Sequence, residues 1–294
     1  MSYKFIFDTN VLNEKSVKEL RSAGIVEGCN SGRLAFYMTP ILMQERFQFA
    51  GKGKIHPDAI EPVKLLIDIK WQRLFNQFGG SDGIFAGELE GRFQRNYLFI
   101  NHDAHKRTLS LFLAGGEFDN EGKHIITDDW CQWTKKKKNN KETYRLMRQD
   151  VNEIFKKHPS LSRKKLNFST FLNLRFESTA LNKIESNIQS RVSKEQLMEY
   201  WVSHKEQCIY FNKYIEGYLF IEWYYVIASE QEPRIDINAH DDIHHLMYLV
   251  GVDGIVSEEQ LFIKPASGML FPKRDFMSVE QFIDRMKHDF PKKH

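Results

Sequence analysis

Tyr3-Lys4-Phe5-Ile6-Phe7-Asp8-Thr9-Asn10 is a short apolar run closed by three polar residues. Its length and composition suit a strand, and Asp and Asn are residues of turns and helix starts. The Asp8 carboxylate is therefore expected at the C-terminal edge of a first, central strand. Leu34 to Met38 repeats the pattern and ends in Thr39-Pro40, before a helical stretch that includes Glu45. Toward the other end, a helix is expected near Asp242 to Val250 and a strand at Gly254 to Ser257. A further strand is expected around Met269-Leu270-Phe271, and Ser278 with Gln281 makes a capping box for a last helix. Strands that alternate with helices at both chain ends predict an α/β fold with a parallel sheet flanked by helices, whose ligands sit at the carboxyl ends of the strands.

Between those ends the periodicity is helical, from about Pro57 to Ile227, with breaks at Gly79-Gly80, Gly115-Gly116 and Pro159. The expected organisation is a core built from 1–56 and 233–294, with an all-α insertion over 57–232. At 294 residues and 41% hydrophobic content the chain has enough apolar material for a full core. The run Tyr218 to Ala228 is interrupted by Glu222 and falls short of the roughly 20 residues a membrane span needs. No membrane helix is expected, and with no basic, cleavable leader at the start the cytoplasm is the expected location. Cys29, Cys131 and Cys208 have no paired spacing, which supports neither a disulfide framework nor a zinc knuckle.

The net charge of +3 decides little, but between Cys131 and Arg175 there are 13 Lys plus Arg against 3 Asp plus Glu. Such a stretch suits phosphate binding. Its basic residues include Lys135, Lys136, Lys137, Lys138, Arg145, Arg148, Arg163, Lys164 and Lys165, interleaved with Trp130, Trp133, Tyr144 and Phe168. Basic side chains supply sequence-independent affinity for a nucleic acid, and aromatic faces stack the bases of single strands. The plainer reading makes the lysine run a solvated loop and the aromatics helix core. The aromatic-rich stretch from Leu197 to Ile227 is expected to be internal core.

Taken singly, Asp8 reads equally as a turn or cap residue, Glu45 as an exposed helical glutamate and Asp242 as a helix cap. His244 and His245 are adjacent, so they point in different directions and cannot form an i, i+4 metal pair. Taken together, Phe5-Ile6-Phe7-Asp8-Thr9-Asn10-Val11-Leu12 resembles the opening motif of the PIN-domain nucleases. Asp242-Ile243-His244-His245-Leu246, Asp253 and Val256-Ser257-Glu258-Glu259 resemble the closing one, so the likeness covers roughly residues 3–50 and 236–285. The resemblance implies a PIN-like core and assigns metal-binding acids to Asp8, Glu45, Asp242 and Glu259. Asn10, Asp241, Asp253 and Ser257 are implied as supporting residues, Asp8, Asp242 and Glu259 as the direct metal ligands, and Mg²⁺ or Mn²⁺ as the ion. Carboxylate oxygens suit those hard cations, which activate water and neutralise charge on a phosphodiester. Two features depart from the motif: its fourth acid is more often Asp than Glu, and Asp241 stands beside Asp242.

The expected activity is endoribonuclease, on single-stranded or structured RNA. An inhibitor of the antitoxin kind and a second copy of the chain are open partners. Two alternatives stand beside it: a PIN-like module that binds RNA or protein without cutting, and a phosphohydrolase of the HD type, suggested by His240-Asp241. The HD type needs an all-helical fold around its site, which the strand-like segments oppose.

Overall fold

A computed structural model describes residues 2–39, 41–42, 49–51, 54–55, 57–74, 80–93, 99–101, 109–110, 113, 140–159, 166–228 and 239–289. In chain order the first elements are β1 (Tyr3–Phe7), α1 (Glu14–Ser22), α2 (Ile25–Asn30), β2 (Leu34–Met38), β3 (Phe49–Gly51), β4 (Lys54–Ile55), α3 (Pro57–Asp68) and β5 (Trp71–Leu74). They are followed by α4 (Gly80–Leu89), β6 (Phe99–Asn101), α5 (Asn140–Lys157), α6 (Phe168–Asn187), α7 (Lys194–Ser203), α8 (Ile209–Trp223) and α9 (Ala239–Leu246). The last are β7 (Gly254–Val256), α10 (Ile263–Leu270), β8 (Asp275–Met277) and α11 (Val279–Asp289). The chain divides into two compact units, one of residues 1–77, 94–130 and 248–294, the other of 78–93 and 131–247.

The first unit is an α/β sheet in the order β6-β5-β2-β1-β7-β8. Five strands run parallel, and β6 is antiparallel to β5 at the edge. Phe5, Ile6 and Phe7 are all fully buried, as a central strand covered on both faces requires. One face of β1 packs Phe5 and Phe7 against Phe36 of β2 and Phe282 of α11, with ring centroids 4.7–6.0 Å apart. Val17 and Leu20 of α1, Ile25 of α2 and Val63 and Leu66 of α3 close the same core. Asn13 starts α1 by accepting the Ser16 N–H at 3.0 Å. Gly24, with φ of 92°, turns the chain into α2 in a conformation that only glycine adopts cheaply.

The expectation of helix throughout 57–232 is corrected in two places. α3 is a crossover helix of the sheet core, and β5 and β6 extend that sheet. The strand expected at Met269-Leu270-Phe271 is instead the end of α10: Ile263, Ala266, Ser267 and Leu270 are buried at helical spacing, and the edge strand comes later, as β8. The domain boundaries shift accordingly, since residues 57–77 belong with the sheet and α9 with the helical unit.

Among its described residues the second unit is helical. Leu197, Trp201, Tyr210, Phe211, Leu219 and Phe220 form its interior, as expected for the stretch from Leu197 to Ile227. Glu88 of α4 joins two of its helices. Its buried carboxylate accepts the N–H groups of Tyr210 at 3.0 Å and Phe211 at 2.8 Å, at the otherwise uncapped start of α8. Burial pushes its pKa up to about 7, against those amide bonds, which pull it down. Phe168, considered above as a stacking residue, is core against Phe220 and Trp223. Cys29 and Cys208 are buried free thiols, and among the described residues no helix is long and apolar enough to cross a membrane.

Candidate functional site

The strand order reverses direction at β1: the chain runs outward from β1 to β2 and β5, then returns to β1's other side with β7 and β8. In open parallel sheets the carboxyl ends of the strands at such a reversal form a ligand crevice. The register places Phe5 beside Phe36, Phe7 beside Val256, and Val256 beside Met277. Continued as far as Asp8, it sets Thr39, Asp8, Ser257 and Ser278 in a row along that carboxyl edge.

Asp8 is the centre of the row and is only 4% exposed. Its backbone N–H donates to the Val256 carbonyl at 2.9 Å, completing the ladder to β7. Carboxylate Oδ1 accepts the Thr9 N–H at 2.7 Å, capping the 3-10 turn Thr9–Val11. Oδ2 accepts the Ser257 hydroxyl at 2.6 Å, within the fully buried environment of that serine. Ser257 Oγ in turn accepts the Glu259 N–H at 3.0 Å and the Asn10 side-chain amide at 3.4 Å, while Asn10 Oδ1 accepts the Glu258 N–H at 3.1 Å. The loops after β1 and β7 are thus laced together around one carboxylate. Asp8, Asn10 and Ser257 meet as expected.

The other acids are placed differently. The Glu259 carboxylate accepts the N–H groups of Leu261, Phe262 and Ile263, opening α10 with charge-assisted bonds at a helix N-terminus. Glu258 performs the same service for α11, accepting the Val279 N–H at 2.7 Å beside the expected capping box of Ser278 and Gln281. Asp253 stands before β7, at the opposite end of that strand from Ser257, where it accepts the Lys4 N–H at 2.8 Å and faces Arg274. It supports the amino edge of the sheet. Asp241 and Asp242 are in the first turn of α9, half-buried and within the second unit. Glu45, Lys135, Lys136, Lys137, Lys138, Arg163, Lys164 and Lys165 lie outside the described residues. Arg145 is exposed and Arg148 half-buried on α5.

Among the described residues no three or more carboxylate, imidazole or thiolate groups converge on one point. The donors at the carboxyl edge are one buried carboxylate, a hydroxyl and an amide. These are hard oxygen donors of the kind Mg²⁺ takes, which is commonly held by one or two carboxylates while keeping several waters.

Two features of the structure are absent from the sequence reading. Thr39, fully buried in the row beside Asp8, accepts the Leu42 N–H at 3.2 Å; the Thr39-Pro40 break was its only signal. In the second unit, His240 and His244 form an i, i+4 pair on α9, unlike the adjacent His244 and His245. Burial first, then for His240 the neighbouring His244, and for both the Lys183 charge, lower their pKa values to about 4. Comparison with protein-family models, with curated proteins and with solved structures gives no match.

Proposed function

We propose that the chain is a PIN-like, metal-dependent nuclease acting on RNA. The observation that carries this reading is Asp8: a buried carboxylate held at the carboxyl end of the central strand, where the strand order reverses, by a hydrogen bond from the serine that ends the returning strand. Asp8 would hold the divalent ion, and Ser257 and Asn10 fix its orientation. The resemblance of the two chain ends to PIN motifs adds Glu45 and Asp242 as further candidate acids. When bound, the ion supplies an activated water and neutralises charge on the scissile phosphodiester. The basic residues from Lys135 to Lys165 hold the RNA backbone. A second reading, a PIN-like module that binds without cutting, draws support from Glu259, whose carboxylate is occupied with the start of α10.

The test is cleavage of labelled single-stranded RNA and duplex DNA in Mn²⁺, Mg²⁺ or EDTA, with Asp8→Asn and Asp242→Asn beside an Asp241→Asn control. Metal-dependent cleavage that is lost in the first two variants and kept in the third supports the nuclease. RNA binding without cleavage in any metal supports the second reading.

A further inference from the structure

In the second unit three helices bring basic groups together around two tyrosines. Tyr214 and Tyr218 lie one turn apart on α8, and His244 and His240 one turn apart on α9. Their rings face each other in two pairs, with centroids 5.0 and 5.6 Å apart. Gly217 makes this possible: a Cβ there would collide with Ile243 of α9, so the two helices approach as closely as a glycine allows. From α6, Lys183 reaches in and sets its ammonium 3.8 Å above the centre of the Tyr218 ring. Phe85 of α4 stacks on Tyr214 and lies against His244.

The positive charge of the cluster is that of Lys183, since both histidines are held neutral by burial, and each imidazole adds one N–H donor. Lys183 makes no ion pair among the described residues, and His244 Nδ1 is buried with no hydrogen-bond partner. The acid that acts on Lys183 is the fully buried Glu222 of α8, whose carboxylate lies 3.3 Å from the Arg175 guanidinium. Asp241 and Asp242 flank the histidines along α9. Lys183, His240 and His244 are each half-buried. Partly desolvated donors without acceptors are costly, and an anion with several acceptor oxygens relieves that cost.

We infer that the cluster of Lys183, His240 and His244, walled by Tyr214 and Tyr218, is a binding site for a phosphate group. A tetrahedral oxyanion offers separate oxygens to donors arriving from two helices, and a lysine serves such a group as a point charge where no planar fork is needed. The site lies wholly within the helical unit and requires nothing of Asp8, so it stands or falls apart from the nuclease reading.

The test uses the full chain, with calorimetric titration of inorganic phosphate, of a short 5′-phosphorylated RNA and of the same RNA with a 5′-hydroxyl. Saturable binding of inorganic phosphate is expected, weakened about tenfold to a hundredfold in Lys183→Met and unchanged in Asp8→Asn. A preference for the 5′-phosphorylated strand, lost in Lys183→Met, identifies a terminal phosphate as the source. Equal binding of both strands, again lost in Lys183→Met, identifies the backbone. His240→Gln provides the same comparison should Lys183→Met fail to fold. No saturable phosphate binding, or binding unchanged in these variants, overturns the inference.

Discussion

Ser257→Ala isolates the contact on which the candidate site depends. The hydroxyl donates at 2.6 Å to Asp8 Oδ2 and accepts from Glu259 at 3.0 Å and Asn10 at 3.4 Å, with no part of the serine exposed. A bond to a charged acceptor is worth about 1.5–3 kcal/mol, and leaving a buried partner unsatisfied forfeits that full amount. The two accepted bonds, one of them long, add about 1 kcal/mol together. The expected loss is about 3 kcal/mol, a large fraction of the stability of a domain. Asp8→Asn keeps the shape but has one acceptor oxygen where two are used, by Thr9 and by Ser257. A double-mutant cycle of the two substitutions therefore predicts a coupling of about 1.5–3 kcal/mol. Urea unfolding of the four proteins, followed by far-UV circular dichroism, measures both quantities. A Ser257→Ala cost below about 0.5 kcal/mol, or strict additivity in the cycle, would refute the view that this hydroxyl holds the carboxylate.

Three further outcomes are expected. Because burial raises Glu88 from 4.5 to about 7, the folded state holds an extra proton between those values. Its contribution to stability is complete below about pH 4.5 and lost as pH rises through 7, by about 3 kcal/mol. The stability difference between the protein and Glu88→Gln should change by that order between pH 4.5 and 8, and a difference flat across the window would mean Glu88 titrates normally. Gly217→Ala should destabilise by about 1–3 kcal/mol, because its methyl group displaces Ile243; a thermal midpoint equal to that of the unsubstituted chain would show that α8 and α9 have room to spare. Glu259→Gln should cost about 1–2 kcal/mol as a lost cap, with RNA cleavage reduced less than in Asp8→Asn. Unfolding and cleavage measured together decide this, and a full loss of cleavage at unchanged stability would make Glu259 a ligand after all.

What could be seen in the sequence is what local chemistry determines. Phe5-Ile6-Phe7 followed by Asp8 reads as a central strand with an acid at its end, because both faces of that strand are buried and polar residues stop it. Ser278 and Gln281 read as a capping box because both halves lie within one turn. Trp71-Gln72-Arg73-Leu74 does not read as a strand, since two of its four residues are polar and its pairing with β2 is a tertiary event. Met269-Leu270-Phe271 is ambiguous in principle, because a short apolar run suits a strand or the buried side of a helix. The membership of α9 in the helical unit turns on Ile243 meeting a glycine 26 residues upstream in the chain, which no window of local pattern contains. The capping role of Glu259 is legible in the sequence, since an acid just ahead of Leu261, Phe262 and Ile263 is an ordinary helix start.

The separation of Asp8 from Ser257, 249 residues apart in the chain, sets a physical condition on the site. Closing so long a loop costs about 2 kcal/mol more than closing a crossover of about 25 residues, if the intervening chain behaves as flexible. A folded insertion costs less. The bonds of Ser257 to Asp8, Glu259 and Asn10 are together worth about 3 kcal/mol, so they offset that entropy within the crevice itself. The strand pairing of β1 with β7 and the orientation of Asp8 are then one event. Until the returning strand docks, Asp8 Oδ2 lacks the Ser257 hydroxyl, and the carboxylate is capped only from its own turn by Thr9. The candidate site is therefore assembled only with the long-range pairing of β1 and β7, and a large helical unit can be carried between its two halves at small cost to either.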